Sequence, residues 1–185
     1  MPSVPLGSIP KRLLPEEPLP PYAYVPRRFA HPTRDPAGHS YGNKSENGSA
    51  LVPERWPESR AYLRGIDLFN SGYYWEAHEA WEHLWHRGGR TGTVADFLKG
   101  LIAFAAAGVK AREGAVAGVR SHAIRAHQIL LRVQEQCGVG KGFYCGLQIS
   151  TLVSWATALS EKASETIIQS EEAVVVVMPF ALLPI

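Results

Sequence analysis

The chain has 185 residues, enough for one domain with extensions and a sizeable buried core. Hydrophobic residues make up 45% and charged residues 19%, an ordinary globular balance, and a formal charge of +2 is too mild to indicate nucleic acid. Two cysteines, Cys137 and Cys145, exclude a disulfide framework and a four-thiolate zinc site.

The first residues are charge-poor, broken by proline and without an apolar h-region, so no secretory signal is expected and a cytoplasmic location is. Twelve of the fourteen prolines fall within residues 1–57. Proline removes a backbone donor and drives its predecessor toward extended conformations, so this region is not expected to be helical. Residues 1–18 read as disordered. Leu19 to Tyr41, with Tyr22, Tyr24, Arg27, Arg28 and Phe29, reads as an arm lying on the domain, although a wholly disordered arm has nearly equal weight. Gly42 to Ala50 reads as a flexible polar linker.

From Pro57 the pattern turns helical. Pro57 suits a first turn, Leu63, Ile66 and Phe69 recur on one face, and Asn70-Ser71-Gly72 supplies a stop. A second helix is predicted from Tyr74 to His86, ending at Gly88-Gly89, and the short connection makes the pair an antiparallel hairpin. The third, Val94 to Arg112, is apolar nearly all round and so central. Its longest apolar run, Gly100 to Val109, lies between Lys99 and Lys110 and is too short to span a bilayer. The fourth, Val116 to Gln136, presents Val119, Ala123, Ala126, Leu130 and Val133 at helical spacing, with Arg120, Arg125, His127 and Arg132 on a solvated face. Phe143 to Leu159 reads as a fifth helix. The run Ala173 to Met178 is β-branched and reads as extended chain covering a hydrophobic groove. The expectation is an all-α compact bundle of about five helices. Its organisation would be an arm and linker over 1–50, a helical domain over 51–160 and a packed tail over 161–185.

The second helix is the chemically dense one: Tyr73 to His86 holds three Glu, three His and three Trp in fourteen residues. On a helical wheel His78, Glu82 and Trp85 fall within about 60° of one another, with Glu79, Trp75 and His86 continuing that side. His78 and Glu82 are i,i+4 neighbours, so an imidazole nitrogen and a carboxylate oxygen could meet one divalent cation or simply bond to each other. A zincin helix needs His-Glu-x-x-His, and His83 comes one residue late. A di-iron bundle needs Glu-x-x-His on two helices, which is absent. No Gly-x-Ser-x-Gly or phosphate loop occurs.

The run Leu68-Phe69-Asn70-Ser71-Gly72, then Trp75-Glu76-Ala77-His78-Glu79 and Glu82-x-x-Trp85, resembles the family called domain of unknown function 309. Phe97-Leu98-Lys99-Gly100-Leu101-Ile102, the Ala-rich run after it and the break at Gly114 fit the same resemblance, which covers roughly residues 60–135. It implies a helical fold and a His-x-x-x-Glu-x-x-Trp element at His78, Glu82 and Trp85 that has been suggested to bind metal, in a family with no established activity. This chain has Lys99 where many relatives carry Gln.

Two functional expectations follow. The sharper is a divalent-metal or small-molecule site with His78 and Glu82 as ligands and Glu79 as general base for hydrolysis. Trp75, Trp81, Trp85 and Lys99 would wall it, and His122 would be the third ligand, or His31 or His39 from the arm. The blander is a structural hydrogen-bonded pair packed by indoles in a non-enzymatic scaffold. Gly65, Phe69, Gly72-Tyr73 and Ala77 also resemble one tetratricopeptide hairpin, but Gly72 to Gly114 exceeds that repeat's period of about 34. A partner-binding helical module is therefore a further alternative to an enzyme. No membrane partner is expected, and a homo-oligomer is compatible with the residues.

Overall fold

Packing of five amphipathic or apolar helices in chain order builds the molecule. The computed structural model describes residues 10–43, 49–137 and 142–185. A 3-10 segment, Pro53–Glu58, leads into α1, Arg60–Asn70. Then come α2, Tyr74–Arg87, α3, Gly92–Glu113, and α4, Val116–Cys137. A two-stranded hairpin, β1 Phe143–Tyr144 and β2 Leu147–Gln148, precedes α5, Ile149–Glu161. Each helix packs chiefly against its neighbours in sequence, with α3 between α2 and α4. Much of the apolar circumference of α3 is therefore covered, with Phe97, Leu98, Leu101 and Phe104 fully buried. By length and composition α3 could cross a membrane, but more than half of its apolar window is buried against the rest of the fold, as in a core helix.

The fold departs from the expected elements at three places. Pro57 sits inside the 3-10 segment rather than at the start of α1, which begins after Ser59. Phe143 to Gln148 is a hairpin and not the first turns of the fifth helix. Tyr144 pairs with Leu147 across a two-residue turn, whose Cys145 and Gly146 both adopt positive φ, 48° and 77°, as tight hairpins require. Cys145-Gly146 is not a usual signature for that turn, and the apolar residues around it imitate a helical pattern. The turn is held by Tyr62, whose hydroxyl donates to the Cys145 carbonyl at 2.8 Å.

Third, the segment read as disordered is ordered from residue 10. Leu14 is buried, and the Leu13 and Leu14 amides donate to the two carboxylate oxygens of buried Asp67 at 2.7 and 2.8 Å. Residues 1–9 of that segment and residues 44–48 of the linker lie outside the described residues. Farther along the arm, Ala23 and Val25 are buried, and the Ala23 amide donates to the Ala173 carbonyl at 2.9 Å, so arm and tail meet.

The tail is extended and closes the apolar face. Val177, Met178 and Leu182 are buried, and Phe180 stacks on Trp155 with ring centres 4.5 Å apart. Four of its backbone groups are satisfied by side chains instead of a strand. The Tyr74 hydroxyl accepts from Val177 and Met178 at 2.8 and 3.0 Å. Asn70 brackets Leu182, its Nδ2 donating to the carbonyl and its Oδ1 accepting from the amide, both at 2.8 Å. A buried unpaired amide is costly, and these contacts are what allow a lone extended segment to sit on a helical bundle.

Candidate functional site

Helical periodicity on α2 sorts its residues into a core side and a polar side. Trp81 points into the core. It is fully buried, 5.9 Å from the Phe69 ring, and it lies so close to α1 that a Cβ on Gly65 would stand 2.2 Å from its Nε1. Trp81 thus belongs to the packing between α1 and α2 and not to the wall of a polar site.

On the other side, the possible ligand atoms of His78, Glu79 and Glu82 all lie within 4.8 Å of one another, and all three residues are half-buried. His78 Nδ1 stands 3.7 Å from Glu79 Oε1, outside hydrogen-bonding range. That nitrogen is shielded from solvent and has no hydrogen-bond partner among the described residues. The approach of the His78 imidazole holds the Glu79 carboxyl below its ordinary pKa. Burial opposes this, and the charges of His78, His83 and His31 add to it.

One turn farther, Trp85 carries a second orphan, a buried indole N–H with no acceptor among the described residues. The Lys99 ammonium lies 5.1 Å from its ring centre and the Arg90 guanidinium 5.5 Å, cation–π geometry in both cases. Lys99 on α3 therefore faces α2 through the indole. His86 packs edge-on against the same ring and is exposed. Trp75 receives the arm, with Tyr24 and His31 each 5.3 Å from its ring.

His122 is not in the cluster of three. It is half-buried on α4, and its pKa is lowered by burial first, then by Lys110, Arg125 and His78, with Glu113 opposing. His39 is committed elsewhere: its Nε2 lies 3.0 Å from Glu76 Oε1, with both side chains almost fully buried. The Tyr24 amide donates to the same oxygen at 2.9 Å. This Glu76–His39 pair is absent from the sequence reading. The helical wheel gave no signal for it, since Glu76 lies beside exposed His83 and is buried only because Tyr24 and His39 of the arm cover it.

The segment that carries this geometry is also the one with known kin. Residues 62–122 match the family model of the domain of unknown function DUF309. No curated protein and no solved structure matches the chain. The DUF309 segment runs from α1 into the first turns of α4, so it contains His78, Glu79, Glu82, Trp85 and Lys99 and closes at His122. The arm and the tail, with His31 and His39, lie outside it, while Trp75 and Glu76, which those two histidines touch, lie inside.

Proposed function

We propose that the polar side of α2 binds a divalent cation through His78, Glu79 and Glu82. The observation that carries this reading is one imidazole and two carboxylates within 4.8 Å of one another, with the Nδ1 of that imidazole lacking a hydrogen-bond partner among the described residues. Ligands about 2 Å from one ion are at most about 4 Å apart, so the side chains would close in slightly on binding. Nitrogen with carboxylate oxygen suits zinc, manganese or iron better than calcium. The orphan Trp85 N–H would serve an oxygen acceptor on whatever accompanies the ion.

Glu79 fits the role of ligand better than that of base. A general base works best with a pKa near the operating pH, whereas this carboxyl is held low and stays an anion, as a ligand must. When bound, such a cation supplies Lewis acidity that makes a nearby water a stronger nucleophile at neutral pH. The chain's own residues would orient that water and set its access.

The test is metal analysis of untagged protein, followed by titration of EDTA-stripped protein with Zn²⁺ and Mn²⁺. About one equivalent is expected, weakened at least tenfold in His78→Ala and in Glu82→Gln. Absence of stoichiometric binding, or equal binding by both variants, would sink the reading.

One observation favours a second reading, a scaffold or partner-binding module without catalysis. The three side chains lie on a half-exposed helix face. Two cavities of the molecule are lined by other residues, one between the arm and the end of α3, the other around Trp155 and Phe180. In that reading His78 and Glu79 are a surface pair, worth at most about 1 kcal/mol.

A further inference from the structure

Positive charge is left unbalanced where the arm crosses the C-terminal end of α3. Arg112 in the last turn is only 1% exposed. Its Nη2 donates to the Glu172 carbonyl at 2.9 Å and to the Ser170 carbonyl at 3.4 Å, while its Nε and Nη1 are buried without partners among the described residues. Arg28 of the arm donates Nη1 to the same Ser170 carbonyl at 2.9 Å. Two guanidiniums thus converge on one neutral acceptor. Among the described residues neither has a carboxylate within ion-pair distance.

Between the arm and α3 opens a cavity of about 440 Å³ lined by Pro26, Arg27, Arg28, Lys110, Glu113 and Ala115. Lys110 is neutralised by Glu113 at 2.7 Å, which leaves Arg27, Arg28 and Arg112 as the surplus. Arg27 is exposed and holds a left-handed φ of 69°, a conformation that costs an arginine about 1 kcal/mol or more. The C-terminal end of α3 contributes roughly half a negative charge, which is too little for three cations. Burial and the Arg28 charge both push the Arg112 pKa down, with Tyr74 and Glu172 opposing, so the crowding falls on the buried group. Charge left buried and unpaired is costly, and guanidinium forks match the oxygens of phosphate.

We propose that this cavity binds the phosphate group of a small molecule, held by Arg27 and Arg28 with Arg112 as a fixed charge behind them. The site is separate from the α2 cluster and does not depend on the reading given for it. Free phosphate and a phosphomonoester share this chemistry, and two ligands separate them.

The test is calorimetric titration of the full chain at constant ionic strength with inorganic phosphate and with glycerol 3-phosphate, using sodium chloride as the blank. Saturable one-to-one binding is expected. Tighter binding of the ester would make the ligand a phosphomonoester, and equal affinities would make the bare anion sufficient; either supports the proposal. Arg28→Ala and Arg27→Glu should each weaken binding at least tenfold. Arg27 is exposed, so Arg27→Glu should not lower the unfolding temperature without phosphate, which separates lost binding from lost folding. No saturable heat, or phosphate binding by Arg27→Glu equal to that of the unaltered chain, would overturn the proposal.

Discussion

The ring of His122 shows how surroundings set the chemistry of a single residue. It sits half-buried on α4, and burial together with Lys110, Arg125 and His78 keeps its pKa below the ordinary 6.5. The unfolded chain therefore takes up a proton on this ring before the folded chain does. The contribution of this group to stability is fully present above pH 6.5 and is lost as the pH drops through the lowered folded value. In EDTA, urea denaturation should show the unaltered chain losing stability between pH 7.5 and 5.5, and His122→Gln losing less. Parallel losses in the two proteins would show that His122 does not carry the effect. At this scale the sequence exposed the key juxtaposition, because i,i+4 spacing alone places His78 beside Glu82. It could not show that Trp81 turns inward, since that depends on α1 offering the small Gly65 at the contact.

Elements with a strong period were legible, and those governed by single contacts were not. The bounds of α2, α3 and α4 fall within about two residues of the periodicity, because each buries an apolar stripe or circumference whose register is written in the chain. The β1–β2 hairpin was hidden, since its turn rests on Cys145 at positive φ and on the bond from Tyr62. The tail's extended form was legible from its β-branched residues, but what satisfies its backbone was not. There Tyr74 is decisive, because one phenolic oxygen accepts two amides and burial raises its pKa to about 12, so it stays protonated. Tyr74→Phe orphans both amides at a cost of about 1–3 kcal/mol. The variant should unfold at lower urea, and hydrogen exchange at Val177 and Met178 should accelerate. Unchanged protection of those two amides would mean that other contacts hold the segment.

At the scale of the whole molecule, the segment that matches the DUF309 model does not close a core by itself. It stops at residue 122 while α4 continues to Cys137, and its apolar surface is completed by distant parts of the chain. Leu14 comes from the arm, Leu152 and Leu159 from α5, and Val177, Met178 and Leu182 from the tail, all in one continuous core. Phe180 reaches both Phe69 and Phe104, with ring centres 6.0 and 5.2 Å away. Fully burying a side chain of this kind stabilises by about 1.5–3 kcal/mol, so the three buried tail residues together contribute roughly 5–9 kcal/mol. A domain of this size has a net stability of about 5–15 kcal/mol. Removing residues 173–185 therefore withdraws much of the margin and bares aromatic surface, rather than trimming an appendage. The truncated chain should show a lost or broad thermal transition by circular dichroism and should aggregate by light scattering. A cooperative transition within a few degrees of the full chain would mean that the helices close their core without the tail.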